Sequence, residues 1–144
     1  GSYTVDANTL RAMQSVFVGG FADETGILKT IREIYDRCDH VIDTHTAVGF
    51  NVYGRYYHRS ADETKTIFVS TASPFKFADS VMDAIFGNGY SKGRSSEVII
   101  RELAEESSLA VPDGLNNLSE KPVLHTAVIE KDQMKTEILS ILGS

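Results

Sequence analysis

The chain has 144 residues, which corresponds to one domain at roughly 150 residues per domain. Its 20 acidic residues outnumber its 14 basic residues, and the net charge of −6 argues against binding to a nucleic acid or an anionic membrane. With 42% hydrophobic and 24% charged residues, the composition is that of a globular protein. A single cysteine and no signal-peptide pattern predict a cytoplasmic protein, and Gly1 and Ser2 resemble a cloning remnant.

Three helical patterns occupy the first 60 residues. Apolar side chains three and four apart predict a helix over residues 6–17. The same spacing predicts a second helix that ends at Cys38, with Asp23 or Thr25 as its cap and Cys38 packed on its apolar face. A third helical pattern follows Asp43 and continues through Tyr56.

One strand is predicted at residues 66–70, because this β-branched apolar run is typical of a strand buried on both faces of a sheet. Ser73 and Pro74 then begin a helix that continues through Ile85, with Ser73 as the cap and Pro74 at the first helical position. A buried strand must pair with a neighbour, and no second run of similar quality is present. This mismatch indicates a piece of a larger protein.

The last third of the chain predicts a helix over residues 96–108, a short extended piece at 123–129 and a terminal helix over 134–142. The predicted fold class is therefore α/β, rich in helices, with few strands and a core strand at about residues 66–70.

The junction after the predicted strand carries hydroxyl groups at the start of a helix. Ser70, Thr71 and Ser73 could hold an anion or a ring nitrogen, because ligands bind beyond the carboxyl ends of strands and at helix amino termini. In most such turns, however, hydroxyl groups satisfy local backbone groups. Spacing alone leaves both interpretations open.

Two other clusters have a simpler structural explanation. His40, Asp43 and His45 are of metal-ligand type, but their spacing fits no metal motif, so we expect no metal site and a capping role for Asp43. Tyrosines mixed with Arg55 and Arg59 resemble a surface for nucleic acids, but the negative net charge argues against that function.

Three segments of the chain carry a more specific pattern. In chain order they are Phe17-Val18-Gly19-Gly20-Phe21-Ala22-Asp23, Asp43-Thr44-His45-Thr46-Ala47-Val48-Gly49 and Ser70-Thr71-Ala72-Ser73-Pro74-Phe75-Lys76-Phe77. The second and third segments, about twenty residues apart, closely resemble the carboxyl-terminal part of bacterial threonine synthase, and the first segment fits the same family. The resemblance covers about residues 5–90. The family usually has proline at the position of Thr44, a difference that puts little chemistry in doubt.

The resemblance implies a pyridoxal-phosphate enzyme of fold type II, the tryptophan-synthase-β-like type. This family converts O-phospho-L-homoserine and water into L-threonine and phosphate. Residues 1–144 would then form one carboxyl-terminal segment, whose partner is the remainder of the enzyme. The Schiff-base lysine lies upstream in the family, so we expect no catalytic residue in this chain and no activity from the chain alone.

The resemblance also assigns residues to cofactor and substrate. Thr71 corresponds to the hydroxyl residue that hydrogen-bonds the pyridine nitrogen of the cofactor. The other expected cofactor-binding residues are Ser70, His45 and Ala47, and the expected substrate-binding residues are Lys76, Ser73 and Thr46.

Two alternatives stay open at this point. One is a small stand-alone α/β module that binds an anionic metabolite at residues 71–76, and the other is part of a related pyridoxal-phosphate lyase. A stand-alone module should have its own sheet, whereas a segment of a larger enzyme should expose apolar surface around residues 67–69.

Overall fold

Six α-helices form most of the regular structure in the computed structural model, which describes residues 2–143. They are α1 (Ala7–Gln14), α2 (Glu24–Cys38), α3 (Thr44–Ser60), α4 (Ala78–Phe86), α5 (Ser96–Ser107) and α6 (Met134–Ile141). Short 3₁₀ helices lie at Pro74–Phe77, Leu118–Glu120 and Lys131–Gln133. The interpretation of Gly1 as a cloning remnant lies outside the described residues.

Contacts divide the chain into two units, the first ending at Asp113 and the second beginning at Gly114. The second unit contains two of the 3₁₀ helices and α6, which confirms the predicted terminal helix. The prediction of one segment spanning residues 1–144 stays a prediction. No helix among residues 2–143 has the length and apolar character needed to cross a membrane.

Polar side chains cap α1, α2, α3 and α5, whereas α4 has no side-chain cap. At the start of α2, Asp23 Oδ1 accepts a hydrogen bond from the N–H group of Gly26 at 2.8 Å, so Asp23 is the cap and Thr25 is not. Ser95 Oγ accepts a weaker bond from the N–H group of Val98 at 3.4 Å at the start of α5. These bonds satisfy amide groups that have no partner within the helix.

The core of the first unit lies among α2, α3, α4 and α5. Helix α2 packs against α3 and α4, and α4 packs against α5. The burial of each large apolar side chain contributes roughly 1.5–3 kcal/mol. The fully buried apolar side chains are Ile31, Ala47, Val81, Met82, Ile85, Ile99 and Leu103.

The predicted richness in helices is confirmed, but the predicted strand at residues 66–70 does not form, and no strand is present among residues 2–143. Ile67 is 84% exposed and Val69 is 77% exposed. The ring of Phe68, by contrast, stacks on Phe50 at 3.8 Å between ring centroids and lies edge-on to Tyr53 at 5.2 Å. A strand needs the backbone groups of a neighbour, and no described segment supplies them.

Three smaller predictions also differ from the structure. Helix α1 ends at Gln14, and Phe17 lies beyond it with 71% of its side chain exposed. Cys38 is exposed and is not packed on an apolar face. Residues 123–129 have no regular secondary structure, and Val128 is 95% exposed.

Candidate functional site

Two distant segments of the sequence meet at the amino-terminal end of α3. The Thr46 hydroxyl donates a hydrogen bond to Oδ2 of Asp43. Ser70 Oγ lies 3.0 Å from Thr46 Oγ1 and 3.4 Å from Asp43 Oδ2, although Ser70 and Asp43 are 27 residues apart in the sequence. The Asp43 carboxylate therefore ties the first motif to the second.

The start of α3 explains why an aspartate occupies this place. Asp43 has extended backbone angles and is the cap residue of α3. Its Oδ1 accepts hydrogen bonds from the N–H groups of His45 at 2.8 Å and Thr46 at 3.2 Å. The helix dipole also favours negative charge here. One carboxylate oxygen thus serves the helix and the other serves the two hydroxyl groups.

The pKa of Asp43 is set by opposing effects. Its side chain is completely buried, and this burial raises the pKa. Hydrogen bonds from the Thr46 hydroxyl and from the N–H groups of Thr46 and His45 lower it by more, so the net pKa lies below the ordinary value for aspartate. The nearby His45 imidazole lowers it slightly further. The carboxylate is therefore ionised at neutral pH and acts only as a hydrogen-bond acceptor.

Phe77 brings two predicted site residues to one exposed surface. The His45 side chain is 56% exposed, and its ring lies 5.3 Å from the Phe77 ring, measured between centroids. The ammonium group of Lys76 lies 5.6 Å from the centroid of the same Phe77 ring. His45 and Lys76 come from different motifs, so the fold brings the two motifs together on this side as well.

The other predicted site residues have different surroundings. Thr71 is exposed, and its side chain has no hydrogen bond within residues 2–143. Ser73 Oγ accepts a bond from the N–H group of Phe75 at 3.3 Å and caps the Pro74–Phe77 helix, as predicted. Ala47 is completely buried. Thr71 therefore differs from Ser70, Ser73 and Thr46 in having a free hydroxyl group.

Histidine, cysteine and acidic side chains do not form a metal-ligand cluster in the described part of the chain. His45 Nδ1 lies 3.4 Å from Asp43 Oδ1, and Thr44 Oγ1 lies 3.5 Å from the same ring nitrogen. These contacts are local, within three consecutive residues at the start of α3.

A separate cavity of about 460 Å³ lies beside the last turns of α3. Three basic residues on one face of the helix, Arg55, His58 and Arg59, line it together with Gly19, Gly20, Phe21 and Val52. The two arginines were expected only as part of a possible nucleic-acid surface, and the cavity was not predicted. The signal that could have indicated it is a Gly-Gly pair followed downstream by basic residues at helical spacing.

Comparison with known proteins connects these segments to one family. The family model described as "Threonine synthase, C-terminal" matches residues 46–137. The chain belongs to this family. The predicted resemblance is therefore confirmed, and the family match continues well beyond residue 90, where the resemblance in the motifs ends.

Individual threonine synthases are similar to parts of the chain. That of Corynebacterium glutamicum is 36% identical over 81 residues, which is 56% of the chain and 16% of the relative. That of Saccharomyces cerevisiae is 30% identical over 115 residues, which is 76% of the chain and 22% of the relative. That of Eremothecium gossypii is 35% identical over 88 residues, covering 58% of the chain and 17% of the relative. The chain spans about a fifth of the length of these relatives.

Proposed function

We propose that this chain forms the carboxyl-terminal part of a threonine synthase, which converts O-phospho-L-homoserine and water into L-threonine and phosphate. The family match and the named relatives support this proposal. The structural observation that carries it is the network of Asp43, Thr46 and Ser70, which joins the two motifs and leaves the adjacent Thr71 hydroxyl exposed and unpaired.

The cofactor of this reaction is pyridoxal 5′-phosphate, which supplies an electron sink for bond-breaking next to the amino group of the substrate. The Thr71 hydroxyl fits one part of this group, because it is a neutral donor with no competing partner and can bond the ring nitrogen. We assign the lysine that binds the cofactor, and the loop around its phosphate, to the remainder of the enzyme. The chain alone is therefore expected to be inactive.

The segment that carries Thr71 is fixed on both sides. Ser70 is held by Asp43 and Thr46 before it, and Ser73 caps the Pro74–Phe77 helix after it. A binding group is effective when its neighbours hold its position, because less ordering is then needed when the ligand binds. These contacts therefore hold the residues on both sides of Thr71 without occupying its hydroxyl group.

The substrate carries a phosphate group, and Lys76 is the exposed cation nearest to the proposed site along the chain. We assign Lys76 to attraction of this phosphate, with Ser73 and Thr46 close to the substrate and His45 beside the cofactor. Because Ala47 is completely buried, we assign it to packing at this end of α3 and not to direct contact with the cofactor. The enzyme would serve threonine biosynthesis in the cytoplasm. The finding of the threonine synthase family favours this substrate over that of a related lyase.

The proposal is tested by Thr71→Val in the longer protein that carries this segment, with phosphate release from O-phospho-L-homoserine as the assay. Valine nearly preserves the shape of threonine but removes the hydroxyl, so we expect kcat to fall at least about tenfold, which is about 1.4 kcal/mol of barrier. Thr71→Ser, the matched control, keeps the hydroxyl and should keep most of the activity. Unchanged kcat and unchanged cofactor absorbance in Thr71→Val would contradict the assignment.

A second experiment tests the division of the site. The purified chain is titrated with pyridoxal phosphate, reduced with borohydride and mapped by peptide analysis. We expect no saturable modification of a single lysine, because the cofactor lysine is assigned to the remainder of the enzyme. A stoichiometric adduct at one position, such as Lys76, would show that the chain has a cofactor site of its own.

A further inference from the structure

We infer that the cavity beside the last turns of α3 is a binding site for a small anion with a phosphate or carboxylate group. This inference is independent of the proposed function, because the cavity lies on later turns of α3 than the Asp43 network. Thr46 and Arg55 are nine positions apart, which is roughly 14 Å along a helix. No acidic side chain is among the residues that line the cavity.

The donors in the cavity are only partly used. One Nη group of Arg55 donates to the carbonyl oxygen of Phe21, and its guanidinium lies 5.7 Å from the Phe21 ring centroid. Arg59 Nε donates to the Arg55 carbonyl at 3.3 Å. Neither arginine forms an ion pair within residues 2–143, so several N–H donors of each are open. A guanidinium group with free N–H donors can donate two parallel hydrogen bonds to two oxygens of a carboxylate or a phosphate.

The loop of Gly19, Gly20 and Phe21 lines the cavity and holds the guanidinium group of Arg55. The backbone of Gly20 packs so closely on α3 that an added Cβ would lie 2.6 Å from Cγ1 of Val52. At Gly19, which also lines the cavity, an added Cβ would meet nothing within 4 Å, so there is open space beside this residue. Arg55 is thus anchored to the loop that also forms the floor. The volume of about 460 Å³ lies within the usual range for small-molecule sites.

Helix dipoles favour cations in a last turn, and this effect alone could place basic residues here. It does not account for the anchored guanidinium of Arg55 or for a cavity lined by three basic residues and no acidic one. In a chain with net charge −6, this local excess of positive charge is the feature that a small anion would recognise.

The test is a titration of the full 144-residue chain with inorganic phosphate, compared with chloride at equal ionic strength and followed by amide and arginine Nε–H resonances. We expect saturable shifts at Gly19, Gly20 and Arg59 for phosphate. Arg59→Gln should weaken phosphate binding at least fivefold. Arg101→Gln, on the exposed face of α5, removes the same charge elsewhere and should leave binding unchanged within about twofold.

A second variant keeps the test decisive if Arg59→Gln perturbs the helix end. Gly19→Asp places a carboxylate where the structure has open space, so it should occupy the basic residues and abolish phosphate binding while the chain stays folded. Shifts that do not saturate, that chloride reproduces, or that Arg59→Gln and Arg101→Gln change equally would overturn the inference.

Discussion

Similar apolar side chains are buried in the helical core but exposed in the segment at residues 63–71. Ile31 on α2 is completely buried, whereas Ile67 is 84% exposed. The helices satisfy their own backbone and need only side-chain contacts, which α2 to α5 supply to one another. The apolar segment needs backbone partners as well, and it has none among the described residues. The helices α2 to α5 therefore stabilise the first unit, whereas the exposed Thr71 hydroxyl lies in a segment that contributes little to its stability.

We expect the largest loss of stability from a substitution in the helical core, and the same substitution in the exposed segment serves as its control. Ile31→Ala removes a fully buried side chain and should lower the free energy of unfolding by about 2–5 kcal/mol. Ile67→Ala, the matched control, should change it by less than about 0.5 kcal/mol. Urea unfolding of the chain measures both. Equal losses in the two variants would mean that residue 67 is packed.

The Asp43 network should rank next, because it joins the two regions. Asp43→Ala removes the cap of α3 and leaves the buried Thr46 hydroxyl without its acceptor, so we expect a loss of about 2–3 kcal/mol. Asp23→Ala removes an exposed cap with one bond and should lose only about 1 kcal/mol. The same unfolding assay compares them. If Asp43→Ala lost no more unfolding free energy than Asp23→Ala, Asp43 would act only as a helix cap and its bonds to the hydroxyl groups would add no stability.

The lowered pKa of Asp43 predicts how stability depends on pH. A group whose pKa is lower in the folded state contributes stability that is present above its unfolded pKa, about 3.9, and is lost as pH falls through the folded value. Stability should therefore fall as pH drops below about 5, and the fall should be shallower in Asp43→Asn. The measurement is the free energy of unfolding of the parent chain and of Asp43→Asn at a series of pH values. Parallel curves for the two would contradict the role of the carboxylate.

A smaller effect is expected where the loop of Gly20 meets α3. Gly20→Ala forces Val52 or the loop to move, because the new Cβ would lie 2.6 Å from Val52 Cγ1, and should lose about 1–2 kcal/mol. Gly19→Ala meets nothing within 4 Å and should be close to neutral. Thermal unfolding compares the pair, and a larger loss at Gly19 would show that the loop lies differently.

The smallest effect is expected at the residue that matters most to the proposed function. Thr71→Val in this chain removes an exposed hydroxyl that has no hydrogen bond, so stability should stay within about 0.5 kcal/mol of the parent. Denaturant unfolding measures it. A loss above 1 kcal/mol would show that Thr71 stabilises the chain, and reduced activity of this variant would then have a structural explanation.

Much of the helical fold could be predicted from the sequence because its determinants are local. The caps Asp23 and Asp43 and the apolar spacing of α2 and α4 lie within the elements that they define. The strand at residues 66–70 could not be predicted in the same way. A β-branched run shows a preference for extended backbone, but it does not show whether a neighbouring strand is present to pair with it. The prediction that Cys38 is packed was wrong for a similar reason. Helical spacing shows on which face of the helix a residue lies, but not whether another element covers that face.

The candidate site was only partly predictable. Sequence reasoning selected Asp43, Thr46 and Ser70 separately, but their hydrogen bonds depend on a contact between residues 27 positions apart. The cavity beside Arg55 depends on the approach of Gly20 to Val52, which no local pattern encodes. Long-range contacts of this kind appear only when the helices pack.

The central claim is that residues 66–70 and Thr71 belong to a site completed by the remainder of a threonine synthase. Amide hydrogen exchange at residues 66–70, measured in this chain and in the longer protein, tests it most directly. We predict fast exchange in this chain, because these backbone groups have no hydrogen-bond partners within residues 2–143, and at least about 100-fold slower exchange in the longer protein. Equally fast exchange in both proteins would contradict the claim.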